Sequence, residues 1–159
     1  ARVPGFTERY TDVKGAGNVV WAVGAGGALA TRSTGAWSKV SNGGLTGTLE
    51  GVWLSSPDAG WAVGPGARAL RIENGAITDL ALDPTIRDNN LYDVWGFEEN
   101  DVWAVGEGGL VIHYDGGVWT NVESGTRNQL ERVRGRRLTN GRREIVIVGQ
   151  FGTVLRKIY

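Results

Sequence analysis

The chain has 159 residues, and its 17 Lys and Arg balance 17 Asp and Glu, which argues against a uniformly basic nucleic-acid-binding protein. It has no Cys and one His, so there is no disulfide framework and none of the usual multi-histidine zinc sites. No apolar run reaches the roughly 18 residues that cross a bilayer, and we expect neither a metal nor a cofactor. The 26 glycines predict many tight turns.

An internal repeat organises the whole chain. Trp21-Ala22-Val23-Gly24 recurs as Trp61-Ala62-Val63-Gly64 and Trp103-Ala104-Val105-Gly106, with a weaker copy at Val146-Ile147-Val148-Gly149. The last glycines of these copies are 40, 42 and 43 residues apart. A period of about 40–45 residues is typical of a four-stranded β-propeller blade. The sequence therefore predicts an all-β protein, a single propeller domain over 1–159 with about four blades of four antiparallel strands.

The first two repeats span approximately 11–48 and 49–88, after a segment at 1–10. The first inner strand is expected near Thr11 to Gly15. The second strand of each repeat is apolar at successive positions, whereas a half-exposed strand would alternate apolar and polar residues. Both of its faces are thus expected to be buried between neighbouring blades. The tryptophans at repeated positions are interpreted as core rather than as ligand-stacking residues: Trp21, Trp53, Trp61, Trp95 and Trp103.

The third repeat, approximately 89–128, shows the pattern most clearly. Its strands are predicted at Leu91–Gly96, Asp101–Gly106, Leu110–Tyr114 and Val118–Val122, each rich in β-branched and aromatic residues. Gly106-Glu107-Gly108-Gly109 would form the hairpin turn after the second strand, because glycine tolerates positive φ. His113 is expected to face solvent, and Glu98, Glu99 and Asp101 are interpreted as solvated loop charges.

The fourth repeat, approximately 129–159, is atypical. Strands are predicted at Glu131–Gly135, Glu144–Gly149 and Thr153–Ile158, with no outer strand after them. We expect the N-terminal segment to complete this blade, with Ala1 to Pro4 as the end of that strand. Such pairing would close a small monomeric ring. The alternative is an open half-ring that pairs with a second copy to cover its edge strands.

Charge is divided unevenly along the chain. Residues 127–159 hold nine basic and two acidic side chains, whereas 88–126 hold eight acids and no Lys or Arg. Equivalent loops of adjacent blades emerge on one face, so the loop arginines of the fourth repeat either pair with acids of the third or form a patch for an anionic partner. The candidate patch comprises Arg134, Arg136, Arg137, Arg142 and Arg143.

The string Asp93 to Gly125 (DVWGFEENDVWAVGEGGLVIHYDGGVWTNVESG) resembles the DVWAVG repeats of bacterial, myxobacterial-type surface and secreted proteins. These belong to the broad Asp-box and WD-repeat-like β-propeller superfamily, which also includes photosystem II assembly-factor propellers. The resemblance implies a propeller in an extracellular, cell-surface or periplasmic setting. Asp115-Gly116-Gly117-Val118-Trp119 is one residue shorter than an Asp-box, and no sialidase arginine triad is identifiable.

These observations favour a binding function over catalysis. One His supports no base–nucleophile pair, and no phosphate-binding loop is present. We expect a non-enzymatic scaffold for protein–protein interaction, with a protein or glycan ligand and no nucleic acid. A lectin-like propeller is the alternative, because tectonin-type lectins share a Trp-rich blade pattern, and a glycosidase-type enzyme is the least favoured.

Overall fold

The structure is a computed structural model that describes residues 3, 5–80, 82, 86 and 88–159. The described residues form four antiparallel sheets arranged as propeller blades. Blade 1 contains β1 (Tyr10–Ala16), β2 (Val19–Gly24), β3 (Leu29–Arg32) and β4 (Trp37–Lys39). Blade 2 contains β5 (Gly51–Ser56), β6 (Ala59–Gly64), β7 (Arg68–Glu73) and β8 (Ala76–Leu80). Blade 3 contains β9 (Leu91–Glu98), β10 (Asp101–Gly106), β11 (Val111–Tyr114) and β12 (Trp119–Asn121). Blade 4 contains β13 (Leu130–Arg137), β14 (Arg143–Gly149) and β15 (Val154–Ile158).

Consecutive strands of each blade are joined by short turns, and each pairs with the next in the chain. The turn after the second strand needs left-handed backbone, with φ of +65° at Gly26 and +63° at Gly108. The all-β propeller class predicted from the repeat is confirmed.

The blades stack through a repeated fit between their inner strands. Strand β1 lies against β5, β5 against β9, and β9 against β13. The indole of Trp53 covers Gly96 in the next blade, and that of Trp95 covers Gly135. A side chain at either glycine would occupy the space of the ring, so the large residue of one blade requires the small residue of the next.

The second strands form the centre of the core. Every residue of β6 and β10 is buried, which explains why their sequences lack a polar face. Trp21, Trp61 and Trp103 are buried almost completely and Trp53 nearly so, whereas Trp95 is only partly buried. Burying side chains of this size contributes much of the hydrophobic stabilisation of the fold.

The four blades form an arc, so the expected closed ring is a wrong prediction. Strands β1 and β13 do not pack against each other as consecutive inner strands do. Trp53 and Trp95 cover the glycines of β9 and β13, whereas Gly15, at the same position on β1, has no atom of blade 4 within 4 Å of an added Cβ. As a result Val13, on the inner strand of blade 1, is 59% exposed.

The N-terminal segment also lies elsewhere than expected. Among the described residues the fourth sheet has three strands, and β15 is its edge. Phe6 packs edge-on against Trp37, and Glu8 pairs with Lys39 at 2.6 Å, so the segment lies on blade 1. The predicted completion of blade 4 is therefore wrong for residues 5–10, while Ala1, Arg2 and Pro4 of the proposed strand lie outside the described residues.

Candidate functional site

The first part of the candidate site joins the loops of blades 3 and 4. Arg137 and Arg143, near the β13–β14 loop, both pair with Glu98 at the end of β9. The Arg143 distance to Glu98 is 2.8 Å, and Arg143 also pairs with Asp101. Two of the five predicted patch arginines thus pair with acids at the β9–β10 turn of blade 3. The hydrogen bonds from Arg137 and the charge of Arg143 lower the pKa of Glu98.

Asp101 is the centre of a polar network between these blades. Its carboxylate is buried and lies 2.7 Å from His113 Nε2, while it accepts bonds from Trp103 Nε1 and the Tyr159 hydroxyl, each at 3.0 Å. Burial alone would raise the pKa of Asp101, but hydrogen bonds from His113, Arg143, Tyr159 and Trp103 outweigh it and hold the pKa below its ordinary value. Burial raises the pKa of Tyr159.

Two expectations from the sequence are corrected here. His113 does not point into solvent but stacks on Trp103, with ring centroids 4.1 Å apart. Asp101 is not a solvated loop charge, because blade 4 covers it with Arg143 and Tyr159. Both residues stabilise the contact between blades 3 and 4. The sequence did not indicate this role because the partners of Asp101 in blade 4, Arg143 and Tyr159, lie 42 and 58 residues away along the chain.

The second part of the site is the uncovered side of blade 4. Register places alternate residues of its three strands on this side, and we refer to this surface as the arginine face. On this face the central strand β14 contributes Val146 and Val148, and Val154 of β15 lies opposite Val148. Its basic residues are Arg132, Arg134, Arg136 and Arg156, and Glu144 lies among them.

Buried carboxylates hold three of these arginines in place. Arg134 pairs with Asp93 of blade 3, and Arg136 and Arg156 both pair with Glu144. The two carboxylates are almost completely buried, yet the side chains of Arg134, Arg136 and Arg156 remain 60%, 71% and 60% exposed. Each guanidinium is thus fixed on one side and open to solvent on the other, which leaves donors free for an anion.

The pKa directions of the anchoring acids follow from their partners. Hydrogen bonds from Arg136 and Arg156 lower the pKa of Glu144. Burial raises the pKa of Asp93, although the Val133 N–H, which donates to it at 2.8 Å, and Arg134 act in the opposite direction. Asp12 makes the same contact at the interface between blades 1 and 2, accepting from the Val52 N–H at 2.9 Å. Each of these two aspartates therefore links its inner strand to that of the next blade through a side-chain to backbone hydrogen bond.

The five predicted arginines therefore do not form one patch. Arg137 and Arg143 pair with blade 3 acids, Arg134 and Arg136 lie on the arginine face, and Arg142 bonds only weakly to the Ile158 carbonyl at 3.4 Å. Arg132 and Arg156 join the surface, although they were not selected from the sequence. Alternation of arginines at 132, 134 and 136 on one strand was the available signal, since alternate strand residues share a face.

Other features of the described residues are less specific. A polar cavity of about 400 Å³ lies between the inner strands, lined by residues that include Arg9, Glu50, Tyr92 and Glu131. Within ranges 5–80 and 88–159 no group of three or more His, Cys, Asp or Glu is arranged to hold a metal ion. No helix in the described part of the chain is long and apolar enough to span a membrane.

Known proteins resemble this chain in structure rather than in sequence. No protein-family model matches it, and no curated protein does. The solved structure of YCF48 bound to D1 peptide is 16% identical, with a TM-score of 0.70 over 98% of this chain and 51% of the other. YCF48 from Cyanidioschyzon merolae is 17% identical, with a TM-score of 0.69 over 97% of this chain and 58% of the other.

This chain therefore spans little more than half the length of those two β-propeller structures. At 16–17% identity the likeness is informative about the fold and not about residue roles. The chain has the β-propeller fold.

Proposed function

We propose that this chain is a non-enzymatic protein-binding module whose arginine face binds an acidic segment of a partner protein. The observation that carries the proposal is the set of exposed guanidinium groups anchored by buried Asp93 and Glu144. Four arginines surround two carboxylates, so the surface keeps positive charge after internal pairing. Fixed side chains lose less conformational entropy when they bind, which favours recognition.

Exposed apolar side chains beside these charges support a protein partner. Val148 and Val154 are both exposed, and Phe151 in the β14–β15 turn is 86% exposed. Phe151 has φ of +55°, at a repeat position where Gly26 and Gly108 have similar angles. Left-handed backbone is costly for a bulky residue, and an exposed ring gains little from packing. Retention of strain at such a turn points to an interaction.

The similar structures agree with a protein-binding role at a general level. One of them is YCF48 bound to a peptide, so a propeller of this type can bind a segment of another protein. The lectin alternative gains nothing from the site, because Trp21, Trp61 and Trp103 are buried and present no ring for a sugar to stack on. The extracellular, cell-surface or periplasmic location rests on the repeat resemblance and is part of the proposal.

A binding titration with a fluorescent Glu-rich peptide, and the same peptide with Lys at each Glu position, tests the function. The double variant Arg134→Gln, Arg136→Gln should weaken binding of the Glu peptide at least about tenfold, with binding that falls as salt rises. The control Arg32→Gln, Arg127→Gln removes the same charge from exposed positions elsewhere. Equal affinity for both peptides, or equal losses in the two double variants, would contradict the proposal.

A further inference from the structure

The edge of blade 4 differs from that of the other three blades. Strands β4, β8 and β12 cover β3, β7 and β11, whereas β15 has no fourth strand beside it among the described residues. The Gly149 N–H donates to the Thr153 carbonyl oxygen at 3.0 Å, and the Tyr159 N–H donates to the Arg143 carbonyl oxygen at 3.0 Å. Because hydrogen-bonded pairs alternate in an antiparallel ladder, the N–H and C=O groups of Val154, Arg156 and Ile158 point outward.

The three existing outer strands share a residue pattern. Each contains a large apolar residue that is followed by a hydroxyl residue, then by a polar or charged residue and then by an aliphatic residue. In chain order these are Trp37, Ser38, Lys39 and Val40; Ile77, Thr78, Asp79 and Leu80; and Trp119, Thr120, Asn121 and Val122. The hydroxyl residue lies opposite Thr31, Arg71 and His113 respectively. The pattern is therefore what a third strand of this fold accepts beside it.

Strand β15 modifies this pattern through its charge. Register places Arg156 where His113 lies in blade 3 and Lys157 where Tyr114 lies. Arg156 is anchored by Glu144 and exposed, so a carboxylate suits the second position of an added strand better than a hydroxyl. Lys157 lies over the ring of Trp103 at 5.2 Å, where it can flank a large apolar first residue.

We propose that β15 takes a fourth, antiparallel strand from a partner protein with the pattern large apolar, acidic, polar, aliphatic. The first residue lies opposite Lys157, the acid opposite Arg156, and the aliphatic residue opposite Val154. Backbone hydrogen bonds supply affinity, and Arg156 supplies selection for the acid. The inference rests on the proposed function and names the ligand class. Two copies of this edge are a poor match, because Arg156 and Lys157 would face like charges.

The probe is a labelled peptide with Trp-Glu-Asn-Val flanked by Gly and Ser, titrated against the full chain. A second peptide carries N-methyl groups on the Glu and Val nitrogens, which would bond to β15. N-methylation should weaken binding at least about tenfold, since it removes two backbone donors and keeps the charge. Hydrogen exchange of the Arg156 and Ile158 amides should slow when the unmodified peptide binds.

The protein variant Val154→Pro removes one outward N–H at the first residue of a strand, where proline is tolerated. This variant should bind the peptide roughly two- to tenfold more weakly, and its melting temperature should be unchanged. Arg156→Gln should reduce the preference for a peptide with Glu over one with Gln at the same position. If the N-methylated and unmodified peptides bind equally well, strand addition is refuted, whereas the proposed function still stands as long as the Glu-rich peptide binds. No binding by either acidic peptide would overturn both. Binding only to a variant without residues 1–9 would identify the chain's own segment as the occupant.

Discussion

Substitution of Gly135 by alanine tests whether the blades are held together by rings packed on glycines. A Cβ at Gly135 would lie 2.6 Å from Trp95 Cη2 and 2.7 Å from Phe97 Cζ. Carbon atoms in contact are ordinarily about 3.5–4.0 Å apart, so both rings must retreat by roughly 1 Å in a close-packed interface. Overpacking of this kind costs about 1–3 kcal/mol. For a domain of this size the melting temperature should fall by roughly 2–12 °C.

The matched control is Gly15→Ala, at the same repeat position on β1. No preceding blade covers Gly15, and the nearest atom to its added Cβ is the Val19 carbonyl oxygen at 3.6 Å. Alanine is favoured over glycine in a strand by about 0.5–1 kcal/mol, so this variant should melt at the same temperature or higher. Differential scanning calorimetry of both variants measures the contrast.

A double variant separates steric conflict from loss of backbone freedom. Trp95→Leu shortens the side chain that meets Gly135, so the added methyl should cost less in Trp95→Leu than in the parent. The difference is the coupling energy of a double-mutant cycle. Equal melting temperatures for Gly135→Ala and Gly15→Ala, or strict additivity with Trp95→Leu, would refute the packing argument.

Three further results are expected. Asp93→Ala should lower the free energy of unfolding by about 1–3 kcal/mol in chemical denaturation, because it leaves the buried Val133 N–H without its acceptor. An unchanged denaturation midpoint would show that this hydrogen bond does not stabilise the interface between blades 3 and 4. Phe151→Gly should raise the melting temperature, because glycine adopts positive φ without strain, and should weaken binding of the acidic peptide. If melting temperature and peptide affinity both rise or both fall, Phe151 is not a strained binding residue. Because the pKa of Asp101 is lowered in the folded state, its carboxylate stabilises the fold above the unfolded-state pKa of about 3.9, and this stability is lost as pH falls through the folded pKa. The free energy of unfolding of Asp101→Asn should therefore fall less steeply at acidic pH than that of the parent protein.

The blade pattern was predictable because it is local. The period of Trp-Ala-Val-Gly and the turn glycines located the strands of blades 3 and 4 to within a few residues, since strand propensity and turn chemistry act over short segments. Both faces of β10 were expected to be buried for the same reason. A residue's neighbours along the strand carry this information.

Features that depend on distant residues were not predictable in this way. Asp101 sits in a run of acids that resembles a solvated loop, and only Arg143 and Tyr159 make it a buried centre. Ring closure was misjudged because it depends on contacts between β1 and β13, which come from opposite ends of the chain. Composition located the basic charge in the fourth repeat but not the buried carboxylates that pair with Arg134 and Arg136.

The repetition of the ring-on-glycine contact makes the arc a one-dimensional array. Each described blade exchanges contacts with its immediate neighbours, so its stability is approximately its own plus one term for each interface. Blades 2 and 3 have two such terms, and blades 1 and 4 have one. Amides in β6 and β10 should consequently exchange last, while the edge strands β4 and β15 of the terminal blades open first. An added strand or blade at either end would then raise protection mainly in the blade it contacts and progressively less beyond it.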